Sequence, residues 1–405
     1  MLSTASQVER YTDIQLAMSS INVGVAIATN KADELLIRDT VLGSDGGFEA
    51  VNGRVLARMH EWLVHAAREL FASRRKMYGD MDKRTLEIMN QLALLLQGQG
   101  QLSEAEKLFR EALNAARTKL GETDADTLTY QNNLASLLSD DLQGKRKLAE
   151  ADRLFRDVLQ VSRKTLGDKD EGTLVSVHNL SVFLRGQGKL KDAEPLCREA
   201  FYGRREKLGE THPDTLTSKN NLAGLLKDQG MLLKDKGMLL KDQGKAELLY
   251  REAELLYRDT LRCRVKTLPE THPHTIASML DLAYFLRKLG KFSEAEPLFR
   301  EVVRARRQQL GDTHQDTLWA LNLFARMLHM VPARITEAVA LANEAVRGLE
   351  AKCGPTHSDT LYALDTLADA LKAQGRAEEA ADVVLRVQRA RARSQPSNKR
   401  KRAAV

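Results

Sequence analysis

The sequence predicts an all-α fold, a superhelical solenoid of tandem antiparallel helical hairpins, and three observations lead to that prediction. A segment of 42 residues recurs along most of the 405-residue chain. Within each copy the apolar residues follow a helical period. The composition also favours helices, because aromatic residues make up only 5% of the chain and leucine and alanine, both strong helix formers, dominate its apolar residues.

The repeat is visible in the spacing of the residues that open each copy. Successive openings are 42, 46, 42, 60, 42 and 43 residues apart, so the departures from 42 are insertions. Similarity that recurs in phase over such a length indicates stacked hairpins, since one hairpin cannot bury its apolar face alone. We therefore expect about seven repeats, at 79–120, 121–166, 167–208, 209–268, 269–310, 311–353 and 354–390.

Each copy is predicted to form two helices, called A and B here. In the first repeat Leu92, Ala93 and Leu96 form one apolar stripe on helix A, which Gly100 would end. Helix B carries Phe109 on its apolar face. We expect this ring to fill the space between hairpins.

Small and aromatic residues recur at matching positions, as at Ala93, Ala105 and Phe109, and the pattern resembles the tetratricopeptide repeat. The phrases "LGETHPDTL", "NNLA" and "AEPLCREA" and the 42-residue period resemble the kinesin light chain type of this repeat. The resemblance covers residues 79–390. It implies a stack in which helix A lines the concave surface, and a groove that holds an extended cargo peptide, often acidic around an aromatic residue.

The ends and one insertion fall outside the regular period. We expect a partly disordered non-repeat segment at 1–48, a degenerate half repeat or cap at 49–78, and a basic disordered tail at 391–405. The 230–255 region contains seven-residue copies that should lengthen both helices of the fourth hairpin, with a turn at Gly230, Gly237 or Gly244. A tolerated duplication and a dedicated contact site both remain open for it.

Charge and cysteine content limit the classes of partner. The net charge is +7, but residues 386–405 hold eight basic residues and no acidic one, so the rest of the chain is close to neutral. This distribution does not support nucleic-acid binding, and no apolar run is long enough for a membrane span. The three cysteines form no C-x-x-C pair. We expect a cytoplasmic protein. A run of four basic residues resembles a short nuclear import signal and would place the protein in the nucleus if it acts as one: Lys399, Arg400, Lys401 and Arg402.

Motifs for catalysis, cofactors and metals are absent from the sequence, so we expect neither an enzyme nor a cofactor. Four histidines recur one repeat apart, which is too far for them to share a metal ion. We expect them to have a structural role at the start of helix A: His212, His272, His314 and His357.

The outward face of helix A provides the candidate site. At 100° per residue, positions two before, two after and five after the packed leucine point away from the apolar stripe. Asparagine recurs there, and its amide can pair with the backbone of any extended peptide, while arginine or lysine would attract acidic side chains. The predicted groove residues are Asn90, Asn132, Ser136, His178, Arg185, Asn220, Lys227, Tyr284, Arg287, Asn322 and Arg326.

These patterns predict a non-catalytic scaffold or adaptor that binds an extended, acidic peptide. The resemblance implies a kinesin heavy chain or a cargo protein as partner. Residues 1–78 show no sustained heptad pattern, so a stand-alone nuclear or signalling regulator that uses the basic tail is the alternative. For the asparagines, a merely solvated face or bonding within the array is the competing interpretation.

Overall fold

The computed structural model describes residues 47–139, 145–235 and 240–394, and within these ranges the regular structure is helical throughout. The predicted all-α class is confirmed. The α-helices of the described ranges, in chain order, are α1 (Gly47–Tyr78), α2 (Lys83–Gly98), α3 (Leu102–Lys119), α4 (Ala125–Ser139), α5 (Lys145–Leu166), α6 (Glu171–Gly186), α7 (Leu190–Leu208), α8 (Pro213–Asp235), α9 (Leu240–Thr267), α10 (Pro273–Lys288), α11 (Phe292–Leu310), α12 (Gln315–Leu328), α13 (Ile335–Cys353), α14 (Ser358–Ala373) and α15 (Ala377–Ser394).

From α2 onward, consecutive helices pack in pairs as hairpins, and each hairpin packs on the next one within its unit. The chain divides into two compact units. Unit 1 contains the four hairpins from α2 to α9, and unit 2 contains the three hairpins from α10 to α15. Each unit is therefore a stack of helical hairpins in which the first helix of a pair corresponds to helix A and the second to helix B.

Glycine ends helix A by adopting a left-handed backbone. In the first hairpin α2 ends at Gly98, and Gly100 has a φ of +75°. The backbone N–H of Gln101 donates to the carbonyl of Leu96 at 2.9 Å, which satisfies one of the free carbonyls at the helix end. This glycine therefore sets the sharp turn that brings helix B back along helix A.

The core of each hairpin combines small residues with one large ring. Ala93, Ala105 and Ala112 are fully buried, so the two helices of the first hairpin approach closely. Phe109 of α3 and its counterpart Phe299 of α11 are also fully buried. The predicted inward face of helix B is thus the observed one.

The start of helix A is capped by aspartate in the first three hairpins and by histidine in the last four. Asp82, Asp124 and Asp170 accept hydrogen bonds from the backbone N–H two residues on. The Nδ1 atom of each histidine accepts the same bond at 3.2 Å, at His212, His272, His314 and His357. These histidines lie at the helix starts where the sequence predicted a structural role.

A histidine cap makes helix A sensitive to acid in a way that an aspartate cap does not. Burial, with a smaller contribution from Lys352, lowers the pKa of His314, so its Nδ1 is free to accept at neutral pH. The folded state binds fewer protons than the unfolded state, in which the histidine pKa is about 6.5, so stability falls as the pH drops below that value.

We expect His314→Asp to match the wild type near pH 7.5 and to exceed it by about 1 kcal/mol at pH 5, the typical value of an N-cap bond. Urea unfolding of both proteins at the two pH values measures this difference. Asp170→Asn in unit 1 is the control, because it replaces one good cap by another. An identical pH dependence of the wild type and His314→Asp would contradict the assignment.

The fourth hairpin has the long helices that the seven-residue copies predict. Helix α8 has 23 residues and α9 has 28, against 16 and 18 in the first hairpin. Gly230 lies inside α8 and Gly244 inside α9, so neither forms the turn, and Gly237 lies outside the described residues. A Cβ at Gly230 would lie 2.6 Å from the ring of Tyr250, so this glycine lets the two helices approach closely.

The segment before the first hairpin is one long helix. Helix α1 spans the predicted cap, buries Ala67 and Leu63, and pairs Arg68 with Glu104 of α3 at 2.8 Å. Residues 1–46 and 395–405 lie outside the described residues, as does the candidate import signal from Lys399 to Arg402. The repeat and domain boundaries stay predictions. In the described part of the chain, no helix combines the length and apolar character required to cross a membrane.

Candidate functional site

The predicted groove residues all lie on the A helices, and the two units hold them separately. Unit 1 carries Asn90 on α2, Asn132 and Ser136 on α4, His178 and Arg185 on α6, and Asn220 and Lys227 on α8. Unit 2 carries Tyr284 and Arg287 on α10 and Asn322 and Arg326 on α12.

An open cleft in unit 1, of about 460 Å³, brings three of these residues together: Asn132, Ser136 and His178. We call it the unit 1 cleft. It lies between the A helices of the second and third hairpins, where α4 and α6 pack side by side. Ser136 is exposed and lies on its wall. Its other lining residues are Asn133, Ser139, Phe155, Asn179, Val182, Phe183, Gly186 and Gln187.

The unit 1 cleft combines an apolar patch with an unused polar atom. The rings of Phe155 and Phe183 lie 5.3 Å apart between their centroids and form an aromatic contact within the lining. Asn132 is 9% exposed, and its Oδ1 accepts no hydrogen bond from the described residues. A buried acceptor without a donor costs free energy. A ligand N–H at this point would therefore be stabilised.

His178 lines the same cleft but is uncharged at neutral pH. Burial lowers its pKa to about 4, and the nearby Arg204 guanidinium adds to the shift. Its Nδ1 lies 3.4 Å from the Ser218 hydroxyl of α8, which accepts a hydrogen bond from Arg204 at 2.8 Å. His178 can thus offer hydrogen bonding and apolar surface to a ligand, but not a positive charge.

Some of the asparagines on the A helices form hydrogen bonds with the neighbouring hairpin. Asn90 is buried, and its Oδ1 accepts a hydrogen bond from Asn133 Nδ2 of the next hairpin at 2.9 Å. Asn221, which follows Asn220, likewise donates to Ser181 of the preceding hairpin at 3.2 Å. The competing interpretation, that the asparagines bond within the array, therefore applies to Asn90. The side-chain carbonyl oxygen of Asn132 has no hydrogen-bond partner among the described residues.

Both basic groups of the predicted set in unit 1 pair with one aspartate, which is not among the predicted groove residues. Arg185 donates to Asp228 at 2.7 Å and to Asn221 at 3.2 Å. Lys227 lies 3.3 Å from the same carboxylate. Asp228 is half-buried and lies on α8, the next A helix after α6, which carries Arg185. Asp228 therefore pairs with both cations, and it compensates one of their two positive charges.

In unit 2 the two arginines of the predicted set are stacked on tyrosines. The guanidinium of Arg287 lies 4.9 Å from the ring centroid of Tyr284, and that of Arg326 lies 4.7 Å from Tyr362 on α14. Trp319 packs on Tyr362, with 5.2 Å between ring centroids. Trp319 and Tyr362 are not among the predicted groove residues. Each lies five residues before the packed position of its helix A, a position that the helical period also places outward.

For Asn322 the predicted outward position is wrong. Its side chain is fully buried, and neither amide atom has a hydrogen-bond partner in the described part of the chain. Helix α12 is apolar on most of its surface and lies between α10 and α14, so neighbouring A helices cover the side of the helix that carries Asn322.

Metal and thiol chemistry receive no support from the described residues. They contain no group of three or more His, Cys, Asp or Glu side chains placed to hold a metal ion. Cys197 and Cys263 are buried free thiols, and burial raises the pKa of both. The raised pKa makes them poor nucleophiles at neutral pH.

Three family profiles, each described as tetratricopeptide repeat, match this chain. The first matches residues 84–141 and 274–351, the second 127–171 and 173–214, and the third 361–386. Together they cover more than half of the chain. The chain belongs to the tetratricopeptide repeat family. No curated protein matches it.

Solved structures with the same repeat type are similar to this tetratricopeptide repeat protein. A putative kinesin light chain of Podosopora anserina with nearly identical repeats is 25% identical over 55% of this chain and 97% of its own, with a TM-score of 0.46. The apo quorum sensor NprR from B. thuringiensis is 14% identical, covering 95% of this chain and 98% of its own, with a TM-score of 0.57. A Rap protein in complex with Competence and Sporulation Factor is 10% identical over 97% and 99%, with a TM-score of 0.53. NprR and Rap support the helical-repeat fold alone.

Proposed function

We propose that this tetratricopeptide repeat protein is a non-catalytic interaction scaffold that binds an extended peptide segment of a partner protein across its A helices. The supporting observation is the unit 1 cleft, an open surface with an exposed apolar side chain, Val182, and an amide oxygen without a hydrogen-bond partner among the described residues. The residues that we expect to contact the peptide there are Asn132, Ser136 and His178.

The chemistry of the unit 1 cleft suits a peptide in extended conformation. The exposed Ser136 hydroxyl can donate or accept a hydrogen bond. A small shift of the buried Asn132 side chain would bring its unpaired Oδ1 within reach of a peptide backbone N–H. The exposed side chain of Val182 on the cleft wall offers contact to one apolar side chain, while the rings of Phe155 and Phe183 are almost fully buried. Since neighbouring helices lie about 10 Å apart and an extended chain advances about 3.3 Å per residue, about three peptide residues span each helix.

An acidic preference would come from unit 2 rather than from unit 1. Arg287 and Arg326 stand on the A helices without ion-pair partners among the described residues, whereas Arg185 and Lys227 share Asp228. The resemblance to kinesin light chain repeats makes cargo-type acidic peptides the first class to test.

Placing a negative charge in the unit 1 cleft should weaken peptide binding. We expect Ser136→Glu to raise the Kd by at least about tenfold, because the new carboxylate fills the cleft and repels acidic side chains. The measurement is fluorescence anisotropy with the full chain. The ligands are pooled degenerate peptides of about ten residues, a length that spans about three A helices, in pools with increasing acidic content.

The matched control is Gln160→Glu, which adds the same charge at an exposed position on helix B of the same hairpin. Both substitutions introduce a good helix former at an exposed site, so both proteins should keep the wild-type circular dichroism spectrum. If Gln160→Glu weakened binding as much as Ser136→Glu does, or if neither did, the cleft would not be the binding site.

A further inference from the structure

Two uncompensated positive charges stand on neighbouring A helices of unit 2. Arg287 of α10 and Arg326 of α12 form what we call the unit 2 arginine pair, and neither has an ion-pair partner in the described part of the chain. Arg185, at the repeat position of Arg287, pairs with Asp228 at 2.7 Å. The same position is therefore neutralised in unit 1 and left positive in unit 2.

The tyrosines that flank the pair hold the guanidinium groups and leave most of their hydrogen-bond donors available. Each ring centroid lies 4.7–4.9 Å from the guanidinium carbon, and Arg287 also makes one hydrogen bond to Tyr284, out of the five N–H donors that a guanidinium carries. Trp319 packs on Tyr362 and so restricts the ring beneath Arg326. The arrangement is preorganised for a ligand that accepts several N–H bonds.

Buried polar atoms beside the pair also lack partners. Arg287 is half-buried, and its Nε has no hydrogen-bond acceptor among the described residues. His329, the residue that follows α12, also has a buried Nδ1 without a hydrogen-bond partner among the described residues. Burial lowers the pKa of Arg287, with Arg326 adding to the effect. Each unmet donor is costly, so an acceptor placed between the arginines would remove a penalty that the free protein carries.

Local acids do not supply that acceptor. Asp365 of α14 pairs with Arg391 at 2.7 Å. Asp369 of α14 is exposed, and its charge favours the protonated form of His329. Burial has the larger effect, so the pKa of His329 is lowered. The cluster of Arg287, Arg326 and His329 is therefore positive overall, and the missing charge must come from a ligand.

The number of charges favours a dianion over a single carboxylate. One carboxylate compensates one arginine and offers two oxygens, whereas a phosphomonoester carries close to two negative charges at neutral pH and offers three acceptor oxygens. Guanidinium groups bind such oxygens with paired, charge-assisted hydrogen bonds.

We infer that unit 2 recognises a phosphorylated serine or threonine of the bound peptide, with the phosphate lying between Arg287 and Arg326. The inference rests on the proposed function, since it assigns a chemistry to the peptide that the scaffold binds. It makes association with the partner dependent on phosphorylation of that partner.

The test uses three degenerate peptide pools that differ only at their central residue, which is serine, glutamate or phosphoserine. Binding to the full chain is measured by fluorescence anisotropy. We expect the phosphoserine pool to bind about 10- to 100-fold more tightly than the serine pool, the range for charge-assisted hydrogen bonds. The glutamate pool should lie between the two, because one carboxylate compensates only one of the two arginines.

Arg326→Gln should abolish that preference, and Arg326→Lys should restore only part of it, because lysine keeps the charge but lacks the paired donors. Arg304→Gln is the matched control, since it removes one arginine from helix B of unit 2, where Arg304 pairs with Glu301. Thermal unfolding of each variant checks that the fold is intact.

Equal binding of all three pools would leave the scaffold function standing and overturn the phosphate inference. Glutamate binding as tightly as phosphoserine would also overturn it, in favour of a plain acidic peptide. If inorganic phosphate bound as tightly as the phosphoserine pool, the site would be one for the free ion. If no pool bound, both the proposed function and the inference would fail.

Discussion

Truncation of Phe109 to alanine is expected to destabilise the first hairpin by about 3–5 kcal/mol, the cost of removing a fully buried aromatic ring. The ring is 0% exposed and packs among the small residues that let α2 and α3 approach. Because a stack of hairpins is stabilised by neighbour contacts, the loss should stay local. Hydrogen exchange should report weaker protection in α2 and α3 while α12 and α13 keep theirs.

Two further variants make the result decisive. Phe299→Ala removes the equivalent ring of unit 2 and should produce the mirrored pattern, with weaker protection in α10 and α11. Leu102→Ala truncates an exposed leucine at the start of α3 and should cost no more than about 0.5 kcal/mol. A uniform loss of protection across both units after Phe109→Ala would mean that the hairpins do not act as local units.

Replacement of Lys219 by methionine is the second large effect, with an expected loss of about 3 kcal/mol. Lys219 lies on α8 with a side chain only 2% exposed, and its ammonium pairs with Glu210 and with Asp259 of α9. Methionine fills the volume but leaves two neighbouring carboxylates without their shared cation. Urea unfolding near pH 7 measures the difference.

The pH dependence distinguishes this cause from simple repacking. Burial is the largest single influence on Lys219 and Asp259 and opposes ionisation of both. The hydrogen bonds and charge attractions of Lys219 to Asp259 and Glu210, and of Asp259 to Lys219 and Arg262, together outweigh burial, so the pKa of Lys219 is raised and that of Asp259 is lowered. The pair therefore stabilises the fold between the unfolded-state values of about 4 and about 10.4. The gap between wild type and Lys219→Met should shrink as the pH falls below about 4, and again as it rises through the raised lysine pKa.

A triple variant provides the control. Lys219→Met combined with Glu210→Gln and Asp259→Asn removes all three charges and should regain most of the loss, because an uncharged replacement of a buried ion pair is often close to neutral. A triple variant as unstable as Lys219→Met alone would assign the loss to packing around Phe201, whose ring lies 5.5 Å from the ammonium.

Structural features that depend on residues close together in the sequence could be predicted. The glycine turn at Gly100, the inward ring at Phe109 and the role of His314 at a helix start each depend on residues within one or two helical turns. The family followed from the same signals, since a repeat period and its small-residue positions are properties of the linear chain.

The candidate site was predictable only as a set of helix faces. Helical period places a residue toward or away from its own hairpin, but it does not report which side chain of the next hairpin meets it. Arg185 was expected to be free and is neutralised by Asp228, 43 positions further on. Asn322 was expected outside and is covered by the neighbouring A helices. Lys219 was not predicted to be buried, and it is the most buried charged residue in the described part of unit 1.

By itself the sequence determined the repeating hairpin, its turns, its caps and its inward rings, because these arise from contacts between residues close along the chain. Tertiary structure alone decided which polar groups remain available. Stacking brings together side chains from successive hairpins, about 40 residues apart in the sequence. Asn90 and Arg185 form hydrogen bonds with side chains of the next hairpin. Asn132 Oδ1 has no hydrogen-bond partner, and the unit 2 arginine pair has no ion-pair partner, among the described residues.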